Sequence, residues 1–254
     1  MGEAVLAGLL DAGWAKPDEL AVVEVLAPRR AELAQRYAGV HISETMVEAD
    51  GALIAVKPYD VAGAVRAAVE GGARRVVSIA AGVTLATLEQ AAGPGVAVVR
   101  AMPNTPALVR TGAAAISGGR EATDDDLAWA EQILSAVGTV VTVPESQLDA
   151  VTGLSGSGPM YVFQIIEGLS DAGVRVGLSR DVAAALTVQT VLGAAKMAEV
   201  LKIHPAVMKD MVTSPGGTAI AALHSLERNR LRAILMDAVE AATARSKELG
   251  RGGA

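Results

Sequence analysis

Short apolar and β-branched runs alternate with amphipathic stretches through the first half of the chain, and the alternation stops near Pro144. Leu20 to Val25 predicts a strand, followed by a helix over roughly Pro28 to Ala38. Ala52 to Val56 and Val76 to Ala80 are nearly continuous apolar runs, the pattern of strands buried on both faces, and Val96 to Arg100 is another. Between them Tyr59 to Gly71 and Thr84 to Ala92 predict helices. Such alternation implies an α/β fold with a parallel sheet and right-handed crossovers. Ligands bind such sheets at the carboxyl ends of the strands. There the chain places Lys57-Pro58, Ala81-Gly82 and Met102-Pro103-Asn104-Thr105-Pro106. Pro and Gly also simply end strands. Three such segments in succession at the binding edge exceed what termination needs.

Beyond Pro144 the pattern is helical. A helix from about Met160 to Val176 is apolar almost all round its first turns, through Met160, Tyr161, Val162, Phe163, Ile165, Ile166 and Leu169. Arg180 to Leu201 predicts a second long helix. Asn229 to Leu249 predicts a last one, with Leu231, Ile234, Leu235 and Ala238 on one face. A helix apolar all round is buried in a core or against a partner. The division is therefore an α/β domain over residues 1–143 and an all-α domain over 144–254, the latter expected to build a homodimer or larger homo-oligomer. The tail from Gly250 to Ala254 is expected to be disordered.

Composition removes several classes of function. With 22 Lys and Arg against 28 Asp and Glu the formal charge is −6, with no basic run, which argues against a nucleic-acid partner. Six aromatic residues in 254 offer few platforms for stacking bases. No apolar run reaches eighteen residues without a charge, so no membrane span is expected, and the start lacks the pattern of a secretion signal. The absence of cysteine excludes disulfides and thiol nucleophiles, and His41, His204 and His224 lie too far apart for paired ligands, so no metal is expected. The balance predicts a soluble, cytoplasmic protein.

Two loops then stand out in the helical half, Leu154-Ser155-Gly156-Ser157-Gly158-Pro159 and Thr213-Ser214-Pro215-Gly216-Gly217-Thr218. Each brings small hydroxyls and bare backbone to a helix start, where unsatisfied N–H groups can grip a carboxylate. Singly, each reads as an ordinary helix N-cap. Two of them, about sixty residues apart behind a nucleotide-binding type of half, read as a small-molecule site.

The beginning is anomalous for a dinucleotide fold, which opens on a strand and a Gly-x-Gly-x-x-Gly turn. Here Met1-Gly2-Glu3-Ala4 runs straight into an amphipathic helix, and Gly2 can be only the third glycine of that turn. The first strand, central in the usual order, is missing. An upstream segment of about five or six apolar residues ending in Gly-x-Gly-x is therefore expected.

These motifs resemble the pyrroline-5-carboxylate reductase family. The resemblance is carried by Met1-Gly2-Glu3-Ala4, Ala55-Val56-Lys57-Pro58, Ala80-Ala81-Gly82-Val83-Thr84 and Arg100 to Pro106, and by both loops. Asp171-Ala172-Gly173-Val174 and Gly177-Leu178-Ser179-Arg180 complete it. It implies a Rossmann-like domain holding NADPH or NADH, an intertwined helical domain, and reduction of 1-pyrroline-5-carboxylate to L-proline. By that resemblance the cofactor lies along Gly2, Ala55, Val56, Lys57, Pro58, Ala80 and Ala81, with Asn104 near the nicotinamide ribose. Ser155, Ser214, Gly216, Gly217, Thr218 and Ala219 would form the substrate site, Thr218 being the candidate catalytic hydroxyl. The chain departs from the family pattern at Ile42 and Met211, where Asn is common, and at Ala219, where Thr is. The last change removes the hydroxyl expected beside the substrate nitrogen. A related cyclic-imine reductase and a non-catalytic oligomeric relative stay open as rivals. Cofactor preference is open too: Glu24 suits a ribose 2′-hydroxyl, Arg29 and Arg30 suit a 2′-phosphate, and Glu24 can equally be a solvated side chain.

Overall fold

The computed structural model describes residues 1–252. The chain forms two compact units, Met1–Ser157 together with the last turns from Ala241, and Gly158–Glu240. In chain order the first unit contains helix α1 (Gly2–Asp11), strand β1 (Ala21–Val23), α2 (Ala27–Arg36), β2 (His41–Ser43) and β3 (Gly51–Ile54). Then come α3 (Val61–Glu70), β4 (Arg75–Ser78), α4 (Leu85–Ala92) and β5 (Ala97–Met102). It closes with β6 (Gly112–Gly118), α5 (Asp124–Ser135), β7 (Gly138–Thr142) and the short α6 (Leu148–Val151).

Five strands pair in the order β3-β4-β5-β6-β7, while β1 and β2 form a separate parallel pair. No strand precedes α1 among the described residues. The expected strands β3, β4 and β5 pair in parallel, while the additional strand β6 runs antiparallel to β5. The reason is length. Residues 103–111 connect the two strands through one 3-10 turn, too short a path for a crossover, which takes a dozen or more residues.

The continuous apolar runs are explained by burial on both faces. Val76 and Val98 join Val65 of α3 and Leu88 of α4 on one side. Val77 and Val99 join Val5 and Leu9 of α1 and Leu134 of α5 on the other. Val65, Val76, Val77 and Leu88 are completely buried, and each such side chain contributes about 1.5–3 kcal/mol relative to exposure.

Composition changes at Pro144, yet the compact units divide after Ser157. Residues 145–157 are held to the sheet by polar contacts. The Glu145 carboxylate accepts from the Leu85 amide at 2.6 Å and from Arg100 at 3.0 Å, and the Ser155 carbonyl accepts from Asn104 at 3.0 Å.

The second unit holds α7 (Gly158–Arg175), α8 (Arg180–Leu201), α9 (Pro205–Met211), α10 (Thr218–Arg228) and the first part of α11 (Leu231–Gly252). Helices α7 and α8 form an antiparallel pair around Gly173, where a Cβ would stand 2.9 Å from that of Ala183. Among its described residues only Ser170, Ala183 and Thr187 are buried. Helix α8 has the length and apolar content of a membrane span, although no uncharged run of eighteen residues was found in the sequence. The two facts agree, since Arg180, Asp181, Lys196 and Glu199 lie toward its ends.

The expected disorder of the tail is corrected in part. Helix α11 continues through Gly252, tied down where the Ser246 hydroxyl donates to Asp149 of α6 at 2.6 Å. Residues 253 and 254 lie outside the described residues.

Candidate active site

Helix α1 starts at Gly2, and its start passes close to the backbone after β3. A Cβ on Gly2 would come within 2.8 Å of the Ala55 Cβ, so glycine is required there. No side chain caps α1, which leaves its first-turn N–H groups for an anion. Ala55, Val56 and Lys57 follow β3 as exposed backbone, and Pro58 opens a 3-10 turn. Ala80 is buried just after β4, and Ala81 is exposed beside it. Because β3, β4 and β5 are parallel, these segments and Asn104 share one edge of the sheet. A close-approach glycine beside an uncapped helix start fits a dinucleotide's pyrophosphate.

Asn104 sits at that edge, but its side chain is already committed. The buried amide donates to the Ser155 carbonyl at 3.0 Å and accepts from the Ala113 amide at 2.8 Å. It clamps the start of β6 to the segment before α7, and one N–H remains beyond that clamp. Ser155 itself departs from the expected loop. Residues Thr152–Gly156 form a single π-helical turn continuing α6, and the Ser155 hydroxyl donates back to Val151 at 3.1 Å. The hydroxyl is thus spent on the turn, which hydroxyls on helical turns commonly do.

The second loop, in the other unit, keeps its expected form. Gly216 has φ +67°, a conformation that side chains rarely adopt, and a Cβ on Gly217 would run into the Ser214 hydroxyl. The Gly217 amide closes the turn onto the Ser214 carbonyl at 3.1 Å. Gly217 then caps α10 with no side chain of its own, leaving exposed Thr218 and half-buried Ala219 in the uncapped first turn. Ile42 lies half-buried in β2, and Met211 is exposed at the end of α9.

Two charged groupings were not read from the sequence. Glu3, in the first turn of α1, pairs with Arg29 and Arg36 of α2 and accepts from the Tyr37 hydroxyl at 3.1 Å. Burial pushes its carboxyl up, but the hydrogen bonds from Arg29 and Tyr37 and the two guanidinium charges outweigh it and hold it below the usual carboxylate range. Burial and the hydrogen bond to Glu3 raise the Tyr37 phenol. In sequence Glu3 looks like an ordinary first-turn acid. The other is the Arg100–Glu145 pair, for which the one signal was a charge at the end of a buried strand. Among the described residues no group of three His, Cys, Asp or Glu is placed to hold a metal ion.

Comparison with known proteins settles the relationship. Residues 145–249 match the family model described as pyrroline-5-carboxylate reductase dimerisation, and residues 1–82 match that of coenzyme F420-dependent NADP oxidoreductases. A pyrroline-5-carboxylate reductase from Methanosarcina acetivorans is 45% identical over 99% of this chain and 95% of its own length. The chain belongs to the pyrroline-5-carboxylate reductase family. The reductase from Synechocystis is 47% identical over the same shares of both chains. Among solved structures, the family member from Coxiella burnetii superposes with a TM-score of 0.92 at 35% identity, covering 98% of this chain and 94% of that one. The Plasmodium falciparum enzyme, solved with NADP bound, gives 0.84 at 29% identity over the same shares. Membership accounts for both halves, an NAD(P)H-binding Rossmann-like sheet and a helical dimerisation region.

Proposed function

We propose that the protein reduces 1-pyrroline-5-carboxylate to L-proline with NADPH or NADH, the last step of proline biosynthesis, as a cytoplasmic homodimer or larger homo-oligomer. The observation that carries this reading is the match, along nearly the whole chain, to reductases of that name. Gly2, Ala55, Val56, Lys57, Pro58, Ala80 and Ala81 hold the cofactor along the sheet edge, and Asn104 fixes that edge and offers one remaining N–H. Ser214, Gly216, Gly217 and Thr218 hold the substrate carboxylate. Bare glycine backbone allows close approach, and the N–H groups of α10 point at the anion. Ser155 supports the site through its carbonyl rather than its hydroxyl.

When bound, the nicotinamide supplies the hydride that reduces the imine carbon. The chain's part is chiefly orientation, worth several orders of magnitude when the reacting atoms are held in line. The ring nitrogen needs a proton or a hydrogen-bond donor, and a protonated imine brings its own. Thr218 is the hydroxyl available in the first turn of α10, since Ala219 lacks one. The low aromatic and basic content supports a small molecule, not a nucleic acid, as partner.

A steady-state assay with 1-pyrroline-5-carboxylate and reduced nicotinamide tests the proposal, and proline must appear stoichiometrically with cofactor oxidation. Thr218→Ala should slow turnover while leaving cofactor affinity intact. Ala219→Thr should raise turnover at least several-fold, because losing one well-placed transition-state donor costs roughly 10²–10³-fold. Turnover of carboxylate-free cyclic imines with none of pyrroline-5-carboxylate would overturn the substrate assignment in favour of a related imine reductase.

A further inference from the structure

We infer that the adenosine end of the cofactor site selects NADH over NADPH. The inference rests on reading the protein as a nicotinamide-dependent reductase, and it concerns the turn between β1 and α2. Glu24 follows β1 about twenty residues beyond Gly2, where dinucleotide folds place the acid that receives the ribose 2′-hydroxyl. Sequence leaves Arg29 and Arg30 as rivals able to meet a 2′-phosphate. The structure shows both already engaged.

The Glu24 carboxylate accepts from the Leu26 amide at 2.9 Å, which fixes it over the turn. Arg30 donates to the carbonyls of Glu24 and Val25 at 2.9 and 2.8 Å and pairs with Glu44 at 2.7 Å. Arg29 pairs with Glu3 and with Glu32, and Arg36 pairs with Glu3 at 2.9 Å. Thus the three arginines of α2 face the carboxylates of Glu3, Glu32 and Glu44, with Glu24 as a fourth: three positive charges against four negative.

A phosphate monoester carries about −1.5 to −2 charges at neutral pH. It would enter a region with no surplus cation and a fixed carboxylate. To bind, it must pull Arg30 from Glu44 or Arg29 from Glu32 and leave that acid without its cation. The ribose diol of NADH meets no such cost, since its hydroxyls are donors to an acceptor already in position. Charge complementarity of this kind decides between ligands more than it sets overall affinity.

Calorimetric titration of the full chain with NADH and with NADPH, without substrate, tests the inference. NADH should bind roughly tenfold more tightly or better. Glu24→Gln should strengthen NADPH binding by about threefold or more and narrow the gap. Adding Glu44→Gln, which releases Arg30, should narrow it further. Equal or tighter NADPH binding by the unmodified chain would overturn the selectivity while leaving the reductase reading intact. An unchanged ratio in both variants would also overturn it, since these carboxylates would then not be the cause. Binding of neither nicotinamide would sink the reductase reading and this inference together.

Discussion

The strands of the first unit and the helices of the second are about equally apolar, but they dispose of that apolarity in opposite ways. Val76, Val77, Val98 and Val99 alternate faces along β4 and β5, and helices cover both faces. On α7 and α8 the large apolar side chains remain open in the single chain: Met160 is 57% exposed, Phe163 63% and Leu186 56%. The sheet half completes its core from its own sequence. The helical half has only one side of a core, and monomers rarely leave apolar surface of that extent uncovered. A match to the family's dimerisation region falls on these same helices.

The largest test of that contrast is a charge on the open side. Phe163→Glu leaves the protomer's own packing nearly untouched, yet self-association should weaken by about 100-fold or more, as for other central apolar contacts. Sedimentation should show a shift toward a species near 26 kDa, and an unchanged assembly would mean that α7 faces something else. On the closed side, Leu88→Ala should lower stability by about 3 kcal/mol, within the range for large-to-small core changes. It should leave the assembly intact, so a denaturation curve and a sedimentation run on that variant report the two regions separately. If both substitutions moved both readouts equally, the contrast would fail.

A middling effect is expected from Asn104→Ala, which strips the clamp from the Ala113 amide and the Ser155 carbonyl. Unsatisfied buried groups cost about 1–3 kcal/mol. Cofactor affinity should fall with stability, because the clamped edge is where the cofactor segments are proposed to lie. A loss of affinity at unaltered stability would instead assign Asn104 to direct contact alone. The smallest effect sits at Glu3, whose folded carboxyl is held below its ordinary value. Its stabilisation is present above the unfolded carboxylate pKa and is lost as pH falls through the lower folded one. Glu3→Gln should therefore cost about 1 kcal/mol or less near neutrality, and the two melting curves should converge as acid protonates the native chain. A gap that widened toward acid would contradict the ion-pair origin.

Much of the fold could be read directly because burial on both faces writes itself as an unbroken apolar run. Strands β3, β4 and β5 and helices α2, α3, α4, α7, α8 and α11 all lie within a few residues of their expected positions. Strands β2, β6 and β7 and helix α5 were not foreseen. Gly112 to Ala115 is small rather than β-branched, and the apolar part of β7 is only the pair Val140-Val141 between threonines. The two loops were also visible, through Gly and Pro at positions that demand them, and for the second the observed turn agrees with that reading.

What the sequence determined by itself was the alternation of strand and helix in the first half, the apolar excess of the helical half and the small residues where backbone must approach closely. Those are local properties, set by period, size and φ. Only the tertiary structure decided that β6 turns back beside β5, that the hydroxyl of Ser155 is spent on its own helical turn, and that the arginines of α2 are already matched by acids. Glu3 and Arg36 stand thirty-three residues apart, and hydrogen bonds over such separations leave no periodic trace along the chain. They form because folding fixes which buried or half-buried polar groups must find each other, and that choice belongs to packing.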